Sequence, residues 1–568
     1  MAGTLRPVTG GSGLIPGEAG RASPVRLIPL GGLGEFGLNA MVIEWQDDLL
    51  LLDAGMLFPP ADLPGVDFIV PDFDYLAARR DRLRAILLTH GHEDHIGALS
   101  YALGSAPAPV YGSPLTLGFA RRRLEDRGVG AELRSLRPGE TAEIGPFRVH
   151  AIRVAHSVLD SLALAIETPA GVLLASGDFK IDPEAPEAER TDVEALSAWG
   201  DRGVLALLSD STNVEHTGFT PGEDSLVPAF DEVLERTRGR VFVSCFATAI
   251  PRMQRVADVA ARHGRPVGFL GRRMVDNAEV ALDLGALRVA EGQRISPGQA
   301  EAADRAVVFV SGSQGEPLSA LSMLSVGEHR EVAVGPGDTV VISARAIPGN
   351  ERAVSRLIGN LFRLGCDVVH PGTAHVHVSG HGCQADLVEL LQRVRPRYLV
   401  PVHGEYRMLV QHARLAAAAG LPADRVLLVE DGDVLCLSPD GAAKQSRTEA
   451  GRVLLDRGGN AEIEDLVIRD RRHLSSEGIV VPIVVVDRQS GHLGSPPEIV
   501  TRGLVDPQGA QDLLEEAARV LERAMDARPA EERLDTELTR ARVRGELRRF
   551  FKRRIQRRPM VIPVVMEV

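Results

Sequence analysis

The stretch Leu83-Arg84-Ala85-Ile86-Leu87-Leu88-Thr89 runs directly into His90-Gly91-His92-Glu93-Asp94-His95, and this junction decides the fold. The first seven residues form an apolar run of strand length, whereas Ile96–Leu103 behind the histidines has helical periodicity. Three imidazoles and the Asp94 carboxylate therefore crowd one strand-to-helix turn. Such donors suit divalent zinc, manganese or iron. In an extended turn His90 and His92 project the same way and can grip one ion, while Asp94 and His95, at the helix start, are turned toward a second. The alternative is an exposed polar loop. With 16 histidines in 568 residues, three within six positions is an improbable accident.

Further donors occupy comparable places. His156 ends the apolar run Val149–Ala155, Asp178 follows Gly171–Ala175, and His403 follows Val400-Pro401-Val402. Taken singly, each such residue is more often structural than metal-binding. Placed together at the ends of separate strands, they predict convergence on one rim of a sheet sandwich.

Around these donors the texture of the chain changes in blocks. Val25–Leu30, Ala40–Trp45, Leu49–Leu52, Arg148–Val154, Leu162–Thr168 and Gly171–Ala175 read as strands punctuated by Gly and Asp. From about 221 to 365, apolar strands alternate with the helical stretches Arg252–His263, Met274–Leu284 and Arg352–Leu364, the pattern of an α/β domain. Short strands return from 366 to 440, and 441–475 is polar and irregular, a linker by its composition. The last block has strands at Gly478–Val486 and Glu498–Val505 and helices at Gln508–Ala527 and Glu531–Arg554. Met560–Val568 reads as a closing strand. The second of these helices is strongly basic, which suits either a solvated face or a nucleic-acid or assembly surface.

Composition narrows the class. With 44% hydrophobic and 25% charged residues the chain reads as a soluble globular protein, and no apolar run approaches a membrane span. Residues 1–24 are rich in Gly and Pro, lack an apolar signal core and read as a flexible tail. Cys245, Cys366, Cys383 and Cys436 form no Cys-x-x-Cys pair, which fits a reducing cytoplasm. The net charge of −13 does not exclude nucleic acid, because the local field at a site outweighs the sum. Gly32-Leu33-Gly34-Glu35-Phe36-Gly37 imitates a dinucleotide fingerprint, but a strand rather than a helix follows it, so a hairpin is expected.

His90-x-His92-x-Asp94-His95 with Asp53, His156, Asp178 and His403 resembles the metallo-β-lactamase superfamily. The resemblance implies an αββα sandwich in which His90, His92 and His156 hold one ion, Asp94, His95 and His403 hold a second, and Asp178 bridges them. Asp53 would brace the ligand turn without touching metal. Flavodiiron members usually carry Glu at the position of His92, which disfavours redox chemistry. The spacing of 225 positions from Asp178 to His403, with Ser209-Asp210-Ser211-Thr212 and His377-Val378-Ser379-Gly380-His381 flanking the insertion, resembles that of the β-CASP nucleases. Within that group the chain is most similar to the bacterial ribonuclease J family, through Ile28–Glu35, Gly312-Ser313-Gln314-Gly315-Glu316-Pro317 and His403-Gly404-Glu405-Tyr406. One departure is Arg273 in Gly271-Arg272-Arg273-Met274, where the family suggests serine.

The family implies this organisation: a metallo-β-lactamase domain in two parts, 25–220 and 366–440, around a β-CASP domain at 221–365. A linker at 441–475 and a small C-terminal α/β domain at 476–568 follow. It further implies two divalent ions, Zn2+ or Mn2+. RNA would be cleaved both endonucleolytically and from a 5′-monophosphate end, in rRNA processing and mRNA decay. His381 and Asp210 would join Asp94 as catalytic groups, and His377, Val378, Ser379, Gly380 and His381 would bind the substrate phosphate, with an ordinary tight turn as the alternative. Gly312–Gly315 is a second phosphate candidate. A homodimer or tetramer through the C-terminal domain, without membrane attachment, is expected. The competing readings are a β-CASP DNA nuclease, a small-molecule thioesterase or lactonase, and a scaffold that has lost its ions.

Overall fold

Apolar runs at Asp48–Leu52 and Leu83–Leu87 explain how the first sheet forms: apart from Asp48 and Arg84 their residues are buried, on both faces of the strands, as in a sheet covered on both sides. The computed structural model describes residues 23–59, 63–290, 292–347, 349–456, 462–505 and 511–568. Most of the N-terminal tail expected at 1–24, residues 1–22, lies outside the described residues, as do 457–461 within the expected linker. The chain divides into two compact units, one comprising 1–58 and 69–453, the other 59–68 and 454–568.

The larger unit contains three sheets. The first orders its strands Gly441–Lys444, Leu435–Ser438, Val25–Gly31, Ala40–Trp45, Asp48–Leu52, Leu83–Leu87, Val110–Gly112 and Leu133–Ser135. The second runs Tyr398–Val402, Ala206–Asp210, Gly171–Ala175, Leu162–Thr168, Phe147–Arg153 and Thr141–Ile144. Leu27, Ile43, Leu50 and Leu87 of the first sheet meet Val149, Leu164, Leu173, Leu208 and Val400 of the second in one buried core. The outer face of the second sheet packs Ile152, Leu174, Leu207 and Leu399 against Leu196, Trp199, Leu387 and Leu391 of two helices. Helices Leu99–Ser105 and Pro114–Asp126 bury their own apolar faces as well. The result is an αββα sandwich.

The third sheet belongs to the insertion. Its six strands are all parallel, with Val241–Ser244 and Val307–Val310 central, and every residue of those two strands is buried. Helices cover both faces, as a parallel sheet requires. Arg272 and Arg273 both pair with Asp126, at 2.6 and 2.9 Å, so the residue that departs from the family pattern is engaged in a surface ion pair.

In the smaller unit, Ile479–Val486 is the central strand, flanked by Glu498–Arg502 on one side and by Met560–Val561 and Val564–Glu567 on the other. Val480, Val484 and Val486 pack on Leu521, Met525, Val543, Leu547 and Phe551 of the helices Gln511–Asp526 and Thr536–Ile555. Asp535 caps the last helix by accepting from the N–H groups of Glu537 and Leu538, which splits the expected Glu531–Arg554 helix in two. Pro563, which has no N–H, interrupts the closing strand. The stretch 441–475, read as irregular, holds strands Gly441–Lys444 and Arg452–Leu455 and a helix at Asp465–Glu477. The Gly32–Gly37 segment turns between antiparallel strands as expected, and Leu33–Gly34 also pairs with Gly404–Glu405 beside His403.

Candidate metal centre

The site assembles at the ends of strands. His90 and His92 leave Leu83–Leu87, and a helix starting at Glu93 carries Asp94 and His95. His156 follows Phe147–Arg153, Asp178 follows Gly171–Ala175, Asp210 ends Ala206–Asp210, and His403 follows Tyr398–Val402. Three of these strands are parallel neighbours, so their C-terminal ends share one edge. The expected Ile96–Leu103 helix is broken, Glu93–Ile96 and Leu99–Ser105 being separate.

One close approach and two strained backbone angles fix the turn. A Cβ on Gly55 would stand 1.6 Å from Asp94 O, so only glycine lets the Asp53–Gly55 segment touch the ligand turn. Asp53 and His403 both adopt positive φ, 59° and 55°, a left-handed backbone that non-glycine residues rarely take outside constrained sites.

All seven expected ligands come together. Donor atoms of His90, His92, His156 and Asp178 lie within 4.8 Å of one another, as do those of Asp94, His95 and His403, and those of Asp178, Asp210, His381 and His403. His90 Nε2 and His156 Nε2 stand 3.0 and 3.2 Å from His92 Nδ1. That is close to the roughly 3.3 Å edge of a tetrahedron built on metal–nitrogen bonds of ~2.0–2.1 Å. Asp178 Oδ2 is 3.4 Å from both His90 Nε2 and His95 Nε2. His403 Nε2 lies 3.2 Å from Asp94 Oδ2.

The chemistry of the set fits divalent cations. Asp178 Oδ2 is buried and accepts no hydrogen bond, although it faces a ring of imidazole nitrogens. A buried carboxylate oxygen without a donor is costly and calls for a cation. The outward nitrogens are already committed. His156 Nδ1 donates to Gly380 O at 2.8 Å, and His95 Nδ1 faces Asp53 Oδ2 at 2.8 Å. His403 Nδ1 lies 2.6 Å from Thr212 Oγ1. Each bond fixes a ring and leaves Nε2 toward the cluster. Burial holds His90 and His156 well below the usual imidazole range, in the neutral form that can bind a cation, whereas at His95 and His403 the neighbouring carboxylates outweigh burial and raise the pKa. Burial opposes ionisation of Asp178, but the imidazoles of His403, His95 and His90 outweigh it and lower its pKa.

His381 and Asp210 complete the rim. His381 Nδ1 lies 2.8 Å from Asp210 Oδ2, and its ring stacks on His403 with centroids 5.4 Å apart. Burial works against a charged His381, yet Asp210 and Asp178 overcome it and raise its pKa. In the 377–381 loop the expected substrate residues divide. Ser379, Gly380 and His381 border the cluster, whereas the His377 ring faces Arg252 and Val378 is buried. Sequence reading missed Asn39, whose Nδ2 donates to Asp94 O at 3.0 Å, Thr212, Lys180 and Arg252. Lys180 carried a usable signal: it is one of three lysines in the chain, two residues beyond Asp178.

A sandwich with clustered His and Asp at its strand ends and a parallel-sheet insertion is a metallo-β-lactamase-fold hydrolase of the β-CASP group. Residues 33–234 match the Metallo-beta-lactamase superfamily, 238–361 the Ribonuclease J beta-CASP domain, 368–426 the Zn-dependent metallo-hydrolase RNA specificity domain, and 466–568 the Ribonuclease J C-terminal domain. The chain is 39% identical to Ribonuclease J of Mycobacterium tuberculosis over 547 residues, 96% of this chain and 97% of the relative. It is 35% identical to Ribonuclease J 1 of Streptococcus pyogenes over 550 residues, 96% of this chain and 98% of the relative. A solved protein of unknown function from Enterococcus faecalis shares the fold at a TM-score of 0.51 and 15% identity, covering 73% of this chain and all of its own. The chain belongs to the ribonuclease J family. Among the described residues no helix is long and apolar enough to cross a membrane.

Proposed function

We propose that this metallo-β-lactamase-fold ribonuclease cleaves RNA with two divalent ions, both within the strand and from a 5′-monophosphate end. His90, His92 and His156 would hold one ion, Asp94, His95 and His403 the other, with Asp178 shared. When bound, such ions supply Lewis acidity that activates water near neutral pH and draws charge from a phosphoryl group; zinc and manganese both suit the donors. The observation that carries this reading is the bare Asp178 Oδ2 among converging imidazoles.

The chain's own groups supply the rest. Asp53, Gly380 O and Thr212 orient His95, His156 and His403. His381, whose Nδ1 faces Asp210, presents its Nε2 side for donating a proton to the departing 3′ oxygen or for steadying a phosphate oxygen. Asp210 keeps that ring protonated and aligned. Ser379 and the loop amides would receive the terminal phosphate, with Gly312–Gly315 as a further contact. The small unit carries an apolar row: Ile479, Val481, Ile483 and Val485 alternate with buried neighbours, and Val500, Val564 and Met566 beside them are 36%, 38% and 45% exposed. That row supports a homodimer through this unit. A cytoplasmic role in RNA maturation and decay follows from the same reading.

Matched oligomers with 5′-monophosphate, 5′-triphosphate or 5′-hydroxyl ends, in RNA and DNA and with several metals, test it. Cleavage of the monophosphate RNA should be fastest, and His92→Ala should abolish it. Equal cleavage of DNA, or indifference to the 5′ end, would defeat the corresponding part of the proposal.

A further inference from the structure

Four successive carbonyls of the 377–381 loop are drawn into the protein. Arg252 Nη2 donates to Val378 O at 2.8 Å, Lys180 Nζ to Ser379 O at 3.3 Å and His156 Nδ1 to Gly380 O at 2.8 Å. Asn213 Nδ2 and Thr220 Oγ1 donate to His381 O at 3.2 and 2.8 Å. The His381 N–H returns to Ser379 Oγ at 3.1 Å, and the N–H groups of Val378, Ser379 and Gly380 have no acceptor among the described residues. From Val378 to His381 every backbone carbonyl is engaged while three N–H groups are left, an arrangement suited to an anion.

Two of the clamps are buried cations. Arg252, 2% exposed, binds both oxygens of Glu223 at 3.0 and 2.8 Å and places Nη1 2.8 Å from Ser343 O and 2.7 Å from His377 Nδ1. Burial and the neighbouring guanidinium hold His377 down at about 3, so its Nδ1 remains an acceptor. Burying an ion pair gains little net stability against a well-packed apolar pair. What this pair supplies is geometry: the guanidinium fork spans partners that one ammonium cannot reach together. Arg252 stands on the helix Ile250–Arg262 of the insertion, whereas the loop it grips carries His381.

We propose that Arg252 is a positioning residue that, through His377 and Val378 O, sets the 377–381 loop so that its free amides receive a terminal phosphate of RNA. The inference rests on the ribonuclease reading above. It is tested with Arg252→Lys and with the neutral pair Arg252→Gln/Glu223→Gln, which leaves no unpaired buried charge should the lysine variant fail to fold. KM and kcat are measured on RNAs of one sequence ending in 5′-monophosphate or 5′-hydroxyl, beside the melting temperature. Loss of two oriented phosphate bonds should raise KM for the monophosphate RNA about tenfold or more, with less than about threefold change for the hydroxyl RNA. A folded variant that keeps the wild-type preference, or loses both substrates equally, overturns the proposal. A wild-type enzyme without any end preference would instead defeat the underlying terminal-phosphate reading.

Discussion

Replacing Asp53 by asparagine separates the fold from the metal site. The carboxylate accepts from Thr89 N–H at 2.8 Å and from Thr89 Oγ1 at 2.9 Å, and its Oδ2 lies 2.8 Å from His95 Nδ1. A carboxylate only accepts, so His95 carries a proton on Nδ1 and offers Nε2 toward Asp178 Oδ2, 3.4 Å away. An asparagine keeps one oxygen for Thr89 but sets an NH2 group against His95 Nδ1. Either two N–H groups confront each other, or the imidazole moves its proton to Nε2, the nitrogen proposed to bind metal. The first outcome costs a buried charge-assisted hydrogen bond, about 1.5–3 kcal/mol of stability. The second lowers metal affinity roughly 10–100-fold, about 1.4–2.7 kcal/mol. The assay is a competition titration of metal-free wild type and Asp53→Asn with zinc and manganese against a chelating dye, beside melting curves in chelator. The variant should melt somewhat lower, bind one ion more weakly and regain turnover in excess metal. Unchanged affinity for both ions would refute the reasoning.

Three further perturbations read other parts of the site. Gly380→Ala would place a Cβ 2.7 Å from His156 Cε1 and Nδ1; about 1–3 kcal/mol of destabilisation and weaker metal binding should appear in melting and titration. Asp210→Asn removes the carboxylate that holds His381, and kcat should fall by about 10²–10⁴ with metal content unchanged. Asp431 is raised to about 7, chiefly by burial and also by Glu35, against the Leu33 N–H, Arg452 and Arg447. Because its folded pKa exceeds the unfolded one, its contribution is present at low pH and lost as pH rises from about 4 through 7. Asp431→Asn should therefore gain stability over wild type across that window, by at most about 4 kcal/mol. A melting-temperature difference that is flat from pH 4 to 8 would contradict this.

The sandwich strands were legible because burial on both faces leaves continuous apolar runs: Ala40–Trp45, Leu162–Thr168 and Gly171–Ala175 fall at the expected residues. The seven clustered His and Asp residues were legible because they sit just past the ends of such runs or in the turn and helix that follow one, and strand ends converge at a sheet edge. What stayed hidden lacks periodicity. The two-residue strand Leu33–Gly34 is defined by its partner beside His403, 371 positions away, and not by its own composition. The breaks at Asp535 and Pro563 turn on single residues inside favourable patterns. Arg252 looks like any arginine on an amphipathic helix until the fold buries it against His377, and nothing local marks it.

Anomalous diffraction from crystals grown with manganese or zinc, recorded at the metal edge, tests the two-ion centre most directly. Two peaks are expected, one touching His90, His92 and His156, the other Asp94, His95 and His403, with Asp178 between them. A single peak, or peaks lying away from these side chains, would contradict it.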